Sequence, residues 1–377
     1  MVRIGLLGFG VVGRGVYEII GKRTDMQVAA VLCLEDVTLP DAKVTRNYQQ
    51  ILCDPDIDTV VEAMGGLHPA YEFVRDAILA GKNVITSNKA LIAAYYDELL
   101  PLCEEKRVLL RCTAAVGGGI GWLSELERAR KVQTVTQVGG IMNGTCNYIL
   151  DAMTRRGVTY QEALTQAQGL GYAERDPSTD VDGIDTWHKL LISCNVAFGI
   201  SVDGASVPVA GIRNVRAADI QNFTKRDLVC KLVSVGKLTE DGLCAYVQPT
   251  LFPVGQPESG VPLNYNLITF IGSASDRMSF YGQGAGRYPT AYNVVQDCVA
   301  VAAGRGFYAP YGEKTAATNG EKMRYYVSIC TQGLPEENAE KRWGGGIITK
   351  PVSVGAMHAW LADHKNAFIA ALPYELR

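Results

Sequence analysis

"RIGLLGFGVVGRGVYEIIGK", residues 3–22, decides the fold of the first third of the chain. An apolar run ends in Gly8-Phe9-Gly10-Val11-Val12-Gly13, and the apolar residues beyond it fall at helical spacing. Each glycine has a physical task. Gly8 permits a tight turn, Gly10 lets a dinucleotide pyrophosphate approach the backbone, and Gly13 lets the helix pack closely on the strand. The first amides of the helix then face the phosphates. A lone G-x-G-x-x-G says little; its place between a strand and a helix, with further βα units behind it, gives it meaning.

Those units are present. "QVAAVLCL" (27–34), "TVVEAM" (59–64), "NVITSN" (83–88) and "RVLLRCTAAV" (107–116) are strands, with helices from near His68 to Gly81 and over "ALIAAYYDELLPLCEEK" (90–106). Continuous apolar strands alternating with helices predict a parallel sheet covered on both faces. Past Gly117 the rhythm changes. "VQTVTQVGGIMNG" (132–144) is a strand and "TCNYILDAMTRRG" (145–157) a helix. Another helix opens with Thr159 and Glu162 spaced as a capping box and stops at Gly169 or Gly171. Residues 218–253 predict a helix and then antiparallel strands. "GQGAGRYPTAYNVVQDCVAVAAG" (282–304) is a glycine-rich loop and a helix returning to the first domain. The expected fold is α/β. A Rossmann-type doubly wound nucleotide-binding domain spans 1–130 with a return segment at about 284–320. An α+β catalytic and dimerisation domain spans 131–283, and a short C-terminal appendage 321–377.

The 377 residues suffice for two domains and a small third. A formal charge of −3 with no basic patch excludes a dedicated nucleic-acid binder. No apolar run reaches the length of a membrane span, and the N-terminus lacks a signal-peptide pattern, so the expected location is the cytoplasm. The ten cysteines are scattered singly from Cys33 to Cys330, and the four histidines form no cluster. The cysteines read as buried reduced thiols. Cys146, in "NGTCNYIL", stands apart as a candidate nucleophile.

At the end of the second strand, "LCLEDVT" (32–38) offers Glu35 or Asp36 to a ribose 2′-hydroxyl. Either would repel a 2′-phosphate, which favours NAD over NADP. Lys43 or Arg46 folding back would favour NADP. Further on, "GYAERDPSTDVDGIDTWHKL" (171–190) carries carboxylates to the edge of the apolar "LLISCNVAFG" (190–199). Asp185 and Lys189, four apart, share one face of a helix. Spacing alone fits a surface ion pair. The apolar continuation points the pair into a cleft instead. Asp176 and Asp182 read as loop or cap residues, and His188 lies about 100° round the helix from Lys189.

"GFGVVG", "VVEAMGG", "VITSNKALIA", "GGIMNGTCNYIL" and "GYAERDPSTDVDGIDTWHK" occur in this order, and together they resemble homoserine dehydrogenase over about residues 1–300. The resemblance implies interconversion of L-homoserine and L-aspartate 4-semialdehyde with NAD or NADP, in threonine, methionine and isoleucine biosynthesis, by a homodimer. It implies that Lys189, Asp185 and Lys89 are catalytic. Glu174, Asp180, Tyr172, Asn143, Gly144 and Thr145 would line the substrate site. Gly65, Thr86, Ser87 and Gly284 would join Lys89 and the glycine loop at the cofactor. Backbone carbonyls of Thr113, Val116, Gly118 and Ile120 would hold a monovalent cation, Na⁺ or K⁺. The family often has a glutamate where Thr113 stands, so the local charge differs here.

The chemistry needs such groups. Oxidising an alcohol removes a hydride and a hydroxyl proton, and the proton needs an acid/base within reach. A lysine beside a second cation suits that task near neutral pH. Asp185 would orient Lys189, while Glu174 and Asp180 hold the substrate ammonium. "RYYVSICTQGLPEE" (324–337) resembles the start of an ACT effector module. The residues beyond Glu337 offer one or two strands and little helix pattern, so the tail reads as a reduced module without a threonine response. Two other readings use the same scaffold: a dehydrogenase of another amino acid or semialdehyde, and a non-catalytic nucleotide sensor.

Overall fold

The computed structural model describes residues 1–306, 312–328 and 338–372. The chain divides into two units. The first comprises Met1–Val132, Asn195–Ser201 and Gly282–Glu313; the second comprises Gln133–Cys194, Val202–Tyr281 and Lys314–Arg377.

The first unit is built on six strands, β1 (Val2–Leu7), β2 (Met26–Leu32), β3 (Lys43–Thr45), β4 (Thr59–Glu62), β5 (Asn83–Thr86) and β6 (Leu110–Arg111). They pair in the order β3-β2-β1-β4-β5-β6, all parallel. The order reverses at β1, so the crevice beyond its carboxyl end is the switch point where open α/β sheets bind ligands. Gly8 stands there, followed by helix α1 (Val11–Ile20). Every residue of β4 is buried, as a sheet covered on both faces requires. Ile4, Leu6, Val16, Val31, Val61 and Ile85 form one core with Ala291, Val294 and Cys298 of the returning helix Arg287–Ala302. That helix lies so close to α1 that a Cβ on Gly15 would stand 2.9 Å from the Ala291 methyl.

The second unit is a mixed sheet backed by helices. Its strands run in the order Asp276–Gln283, Tyr265–Gly272, Val135–Ile141, Leu228–Thr239, Gly242–Pro253, Ile369–Leu372, Lys322–Ser328, Gly346–Thr349, Ala339–Trp343. The helix Gly144–Arg156 follows the third of these, and the helix Tyr160–Gly169 starts with the reciprocal Thr159–Glu162 capping box. Asn147 ties the first helix to the loop before Tyr265, donating to the Leu263 carbonyl at 2.8 Å. The fully buried Lys231 donates to Asn147 Oδ1 (2.8 Å) and the Val261 carbonyl (2.6 Å).

The C-terminal residues, expected as an appendage, form part of this sheet. Lys322–Ser328 pairs antiparallel with Ile369–Leu372, which meets Gly242–Pro253 at Thr250 and Ala371. On its other side Lys322–Ser328 pairs with Gly346–Thr349, which in turn pairs with Ala339–Trp343. A helix, Val354–Asp363, adds to them, and its N-cap Ser353 accepts from Ala356 N. This is more regular structure than the pattern suggested. Residues 329–337 of the ACT-like stretch lie outside the described residues. Tyr325 and Tyr326 are wholly buried; Tyr325 Oη donates to Gln248 and Tyr326 Oη to Asp219. No helix among the described residues is long and apolar enough to cross a membrane. Removing everything after Lys322 strips Tyr325, Tyr326, Val327, Ile369 and Leu372 from the core. At about 1.5–3 kcal/mol per buried large side chain, the loss exceeds about 5 kcal/mol. A chain ending at Lys322 is therefore expected to melt far below the full chain or not cooperatively, and equal melting curves would show that the sheet does not need these strands.

Candidate active site

At the carboxyl edge of the parallel sheet, Gly8 takes φ +95°, and a Cβ on Gly13 would meet the Gly8 carbonyl at 2.2 Å. Only glycine satisfies either position without strain. A Cβ on Gly10 meets nothing within 4 Å, and α1 opens without a side-chain cap or an acidic residue in its first turn. The result is an open cradle with free helix-start amides, which fits a dinucleotide pyrophosphate. Nearby, Glu62 Oε1 accepts from the amides of Met64 (2.8 Å) and Gly65 (3.1 Å), and its Oε2 from Thr86 Oγ1. Asn88 caps the helix Lys89–Lys106 and donates to the Gly66 carbonyl at 2.6 Å. The ends of β4 and β5 are thus locked together, fixing Thr86, Ser87 and the half-buried Lys89.

The acids at the end of β2 have partners that adjacent sequence does not show. Arg14 of α1 reaches Glu35 at 2.9 Å, and Arg46 reaches Asp36 at 2.7 Å. All four side chains are exposed. Such pairs contribute about 0–1 kcal/mol and open readily for a ligand.

In the second unit, one asparagine links two of the expected site residues, Asp180 and Asp185. Asn143 is the N-cap of the helix Gly144–Arg156; its Oδ1 accepts from Cys146 N at 2.8 Å. Its Nδ2 donates to Asp180 Oδ1 (2.7 Å) and Asp185 Oδ2 (2.9 Å). Gly144 must be glycine, because a Cβ there would stand 2.6 Å from the Asn264 carbonyl. Thr145 Oγ1 lies 2.5 Å from the Tyr172 carbonyl and 3.2 Å from Asp180 Oδ2. Asp185 sits in the first turn of the helix Ile184–Phe198, where a negative charge suits the helix dipole. One turn on, Lys189 Nζ donates to Asp185 Oδ2 (2.6 Å) and to the Met142 carbonyl (2.7 Å). Both side chains are over nine-tenths buried, so this is no surface ion pair. Burial, and then the neighbouring Asp185 charge, push the Asp180 carboxyl above its ordinary value.

Other expected residues stand further out. Glu174 and Tyr172 are exposed, and Tyr172 packs edge-on against Tyr148. Asp176 accepts from Ser178 and Asp182 pairs with Arg213, which are local structural roles. Cys146 is not a nucleophile. It is fully buried, its thiol donates to the Asp180 carbonyl, and burial beside two carboxylates pushes it well above the ordinary thiol value. Asn266 was not foreseen from the sequence. Wholly buried, it donates to the same Met142 carbonyl that Lys189 uses (3.0 Å). A polar residue inside the apolar strand "YNLITFIG" was the available signal.

The four expected cation ligands lie in the first unit, in a loop after β6. Thr113 directs its N–H (2.8 Å) and hydroxyl (2.7 Å) to Asp297, which also accepts from Arg111. The carbonyls of Gly118 and Ile120 both accept from Asn293 Nδ2, at 2.5 and 3.0 Å. Gly118 packs on the backbone of Gly284, where a Cβ would come within 2.5 Å.

Two family models match: homoserine dehydrogenase over residues 122–299, and its NAD binding domain over residues 8–112. The homoserine dehydrogenase of Bacillus subtilis is 37% identical over 335 residues, covering 83% of this chain and 77% of the relative. That of Synechocystis is 40% identical over 314 residues, covering 79% and 72%. Among solved structures, a homoserine dehydrogenase from Thiobacillus denitrificans superposes with a TM-score of 0.83 at 27% identity, covering 100% of this chain and 99% of that one. A hyperthermophilic archaeal homoserine dehydrogenase in complex with NADPH gives 0.70 at 25% identity, covering 80% and 98%. With both family models matched in the expected order and relatives this similar over most of its length, the chain belongs to the homoserine dehydrogenase family.

Proposed function

We propose that Asn143, Asp180, Asp185 and Lys189 form the homoserine end of the active site and that Lys189 is its acid/base. The reaction itself follows from the family: an oxidoreductase acting on a CH–OH group, interconverting L-homoserine and L-aspartate 4-semialdehyde. A bound nicotinamide supplies the chemistry of hydride acceptance and donation. The chain's residues must orient the alcohol and move its proton. The observation that carries the proposal is the buried Lys189 ammonium, held at once by Asp185 and the Met142 carbonyl. Those two bonds fix where its remaining donor points. In the oxidising direction Lys189, in its neutral form, takes the hydroxyl proton; in the reducing direction the ammonium returns it. Asp185 orients the lysine and balances its charge. Asp180 and the exposed Glu174 receive the substrate ammonium. Lys89 is assigned a catalytic part on the resemblance of "SNKA" alone.

Lys189→Ala is expected to lower turnover about 10²–10⁴-fold while NAD affinity changes little. Rapid-quench and cofactor-titration measurements separate the two, and turnover like the parent's would remove Lys189 from the mechanism.

The raised Asp180 carboxyl gives a pH test. The folded chain keeps this proton at pH values where the unfolded chain has lost it. Stability tied to the group is therefore present in acid and lost as pH rises through the folded value. Asp180→Asn removes that loss. Its melting temperature, relative to the parent, should rise as pH climbs above about 4, the ordinary carboxylate value, while the homoserine KM increases about tenfold or more. A melting difference that shrinks with rising pH would contradict the raised carboxyl. An unchanged KM would remove Asp180 from the substrate site.

For the cofactor we read NAD as preferred, through Glu35 and the ribose 2′-hydroxyl. Arg14 and Arg46 soften the repulsion of a 2′-phosphate, so NADP is also accepted. Glu35→Ala should reduce kcat/KM for NAD about tenfold and leave NADP unchanged or improved. A parent that prefers NADP would overturn the reading and assign the arginines to the phosphate. A homodimer working in the cytoplasm completes the proposal. The edge strand Asp276–Gln283 supports pairing with a second copy: it ends the sheet and exposes Met278 and Tyr281.

A further inference from the structure

The loop from Thr113 to Trp122 raises a question independent of how Lys189 acts. A monovalent cation needs several oxygens converging on one point, helped by negative charge. Here the convergence point of two expected ligands holds a nitrogen. Asn293 Nδ2 bridges the Gly118 and Ile120 carbonyls at 2.5 and 3.0 Å, a spacing similar to a potassium–oxygen contact. Two carbonyl acceptors require the amide nitrogen, not its oxygen, to face them. Asn293 is 2% exposed, and the Gly118 and Ile120 positions are buried too.

The Ile120 and Thr113 carbonyls have further partners. The Ile120 carbonyl also accepts from Trp122 N at 2.7 Å, and the Thr113 carbonyl from Val116 N at 3.4 Å. The Thr113 hydroxyl turns to Asp297 and Ser124. Asp297, the nearest acid to Thr113, is itself held by Arg111 at 2.8 Å, and Arg111 also holds Glu127 at 2.9 Å. The positive charge of this region is thus covalently part of the chain. The residues do not fit the cation that the resemblance implied.

We propose that Asn293 takes the place of an alkali-metal ion in this loop, so that folding and turnover need neither Na⁺ nor K⁺. A neutral amide supplies two N–H donors to the two carbonyls without the charge that a buried ion brings. It is carried by the helix Arg287–Ala302, which packs on α1 and whose preceding Gly284 rests on Gly118. The amide therefore ties the returning segment to the loop, as a bridging ion would.

The test compares melting in tetramethylammonium, sodium and potassium chloride at equal ionic strength, for the parent and two variants. The parent should melt within about 1 °C in all three salts, because a ligand that does not bind the native state adds no stability. Homoserine turnover, followed alongside, should vary less than about twofold once screening is matched. Asn293→Asp keeps the shape but sets a carboxylate against two carbonyl oxygens. It should melt about 3 °C or more below the parent in tetramethylammonium and recover in sodium or potassium. Asn293→Ala, with no added charge, should lose stability in tetramethylammonium. A saturable rise in the parent's melting temperature with Na⁺ or K⁺ would overturn the proposal. So would either variant matching the parent in tetramethylammonium. If neither variant folds in any salt, the parent's salt series alone decides.

Discussion

A single amide nitrogen stands between two carboxylates: Asn143 Nδ2 donates to both Asp180 and Asp185. Two like charges brought together away from water repel and resist ionisation. The cluster is tolerable because the amide serves both and because Lys189 neutralises the deeper one. The amide is itself fixed by backbone geometry. Asn143 caps a helix, so its Oδ1 is committed to Cys146 N and its Nδ2 can point only the other way. The Asn264 carbonyl bars any side chain at Gly144 and sets where that helix begins. Secondary structure, not side-chain attraction, therefore positions the charged groups. The charges could not hold this arrangement themselves, since a partly satisfied polar network costs more than an apolar one.

The same constraint separates what was readable in advance from what was not. The glycine loop and the parallel strands were legible because each task belongs to a residue type at a fixed local spacing. Asp185 and Lys189 were legible as a pair because they lie one helical turn apart. Their burial was suggested by the apolar run behind them. Partners distant along the chain were not legible. Arg111 meets Asp297 across 186 positions, and nothing near either residue announces it. Arg14 meets Glu35 because α1 and the end of β2 converge at the switch point, which only the folded sheet reveals. The C-terminal strands were misjudged for a related reason. A strand buried on both faces shows no alternation, and the helix Val354–Asp363 begins with Val and Gly, both weak helix formers.

Asparagine recurs at the joints of both units. Asn88 links a helix start to the Gly66 turn, Asn147 links a helix to a loop, and Asn293 links a helix to the loop after β6. In each case the amide nitrogen donates to a backbone carbonyl of a loop or turn. A neutral amide satisfies such groups at lower desolvation cost than an ion or a charged side chain. Full charge is then reserved for positions where an opposite charge or a polar ligand offsets burial.

Two buried lysines show why burial alone does not make an acid/base. Lys231 is wholly buried, with a side-chain amide and a backbone carbonyl as its acceptors, and burial pushes its ammonium down to about 8. By titration alone it is a better candidate than most. Yet its two bonds run to Asn147 and Val261, which join a helix to a loop, and no surface of the residue is open. Lys189 keeps 7% of its surface open and stands on the Asp185 carboxylate. A group that exchanges protons with a substrate must be reached by it, so access separates the two lysines. The buried one clamps a helix to a loop, and Lys189 keeps the access that the proposed acid/base role requires.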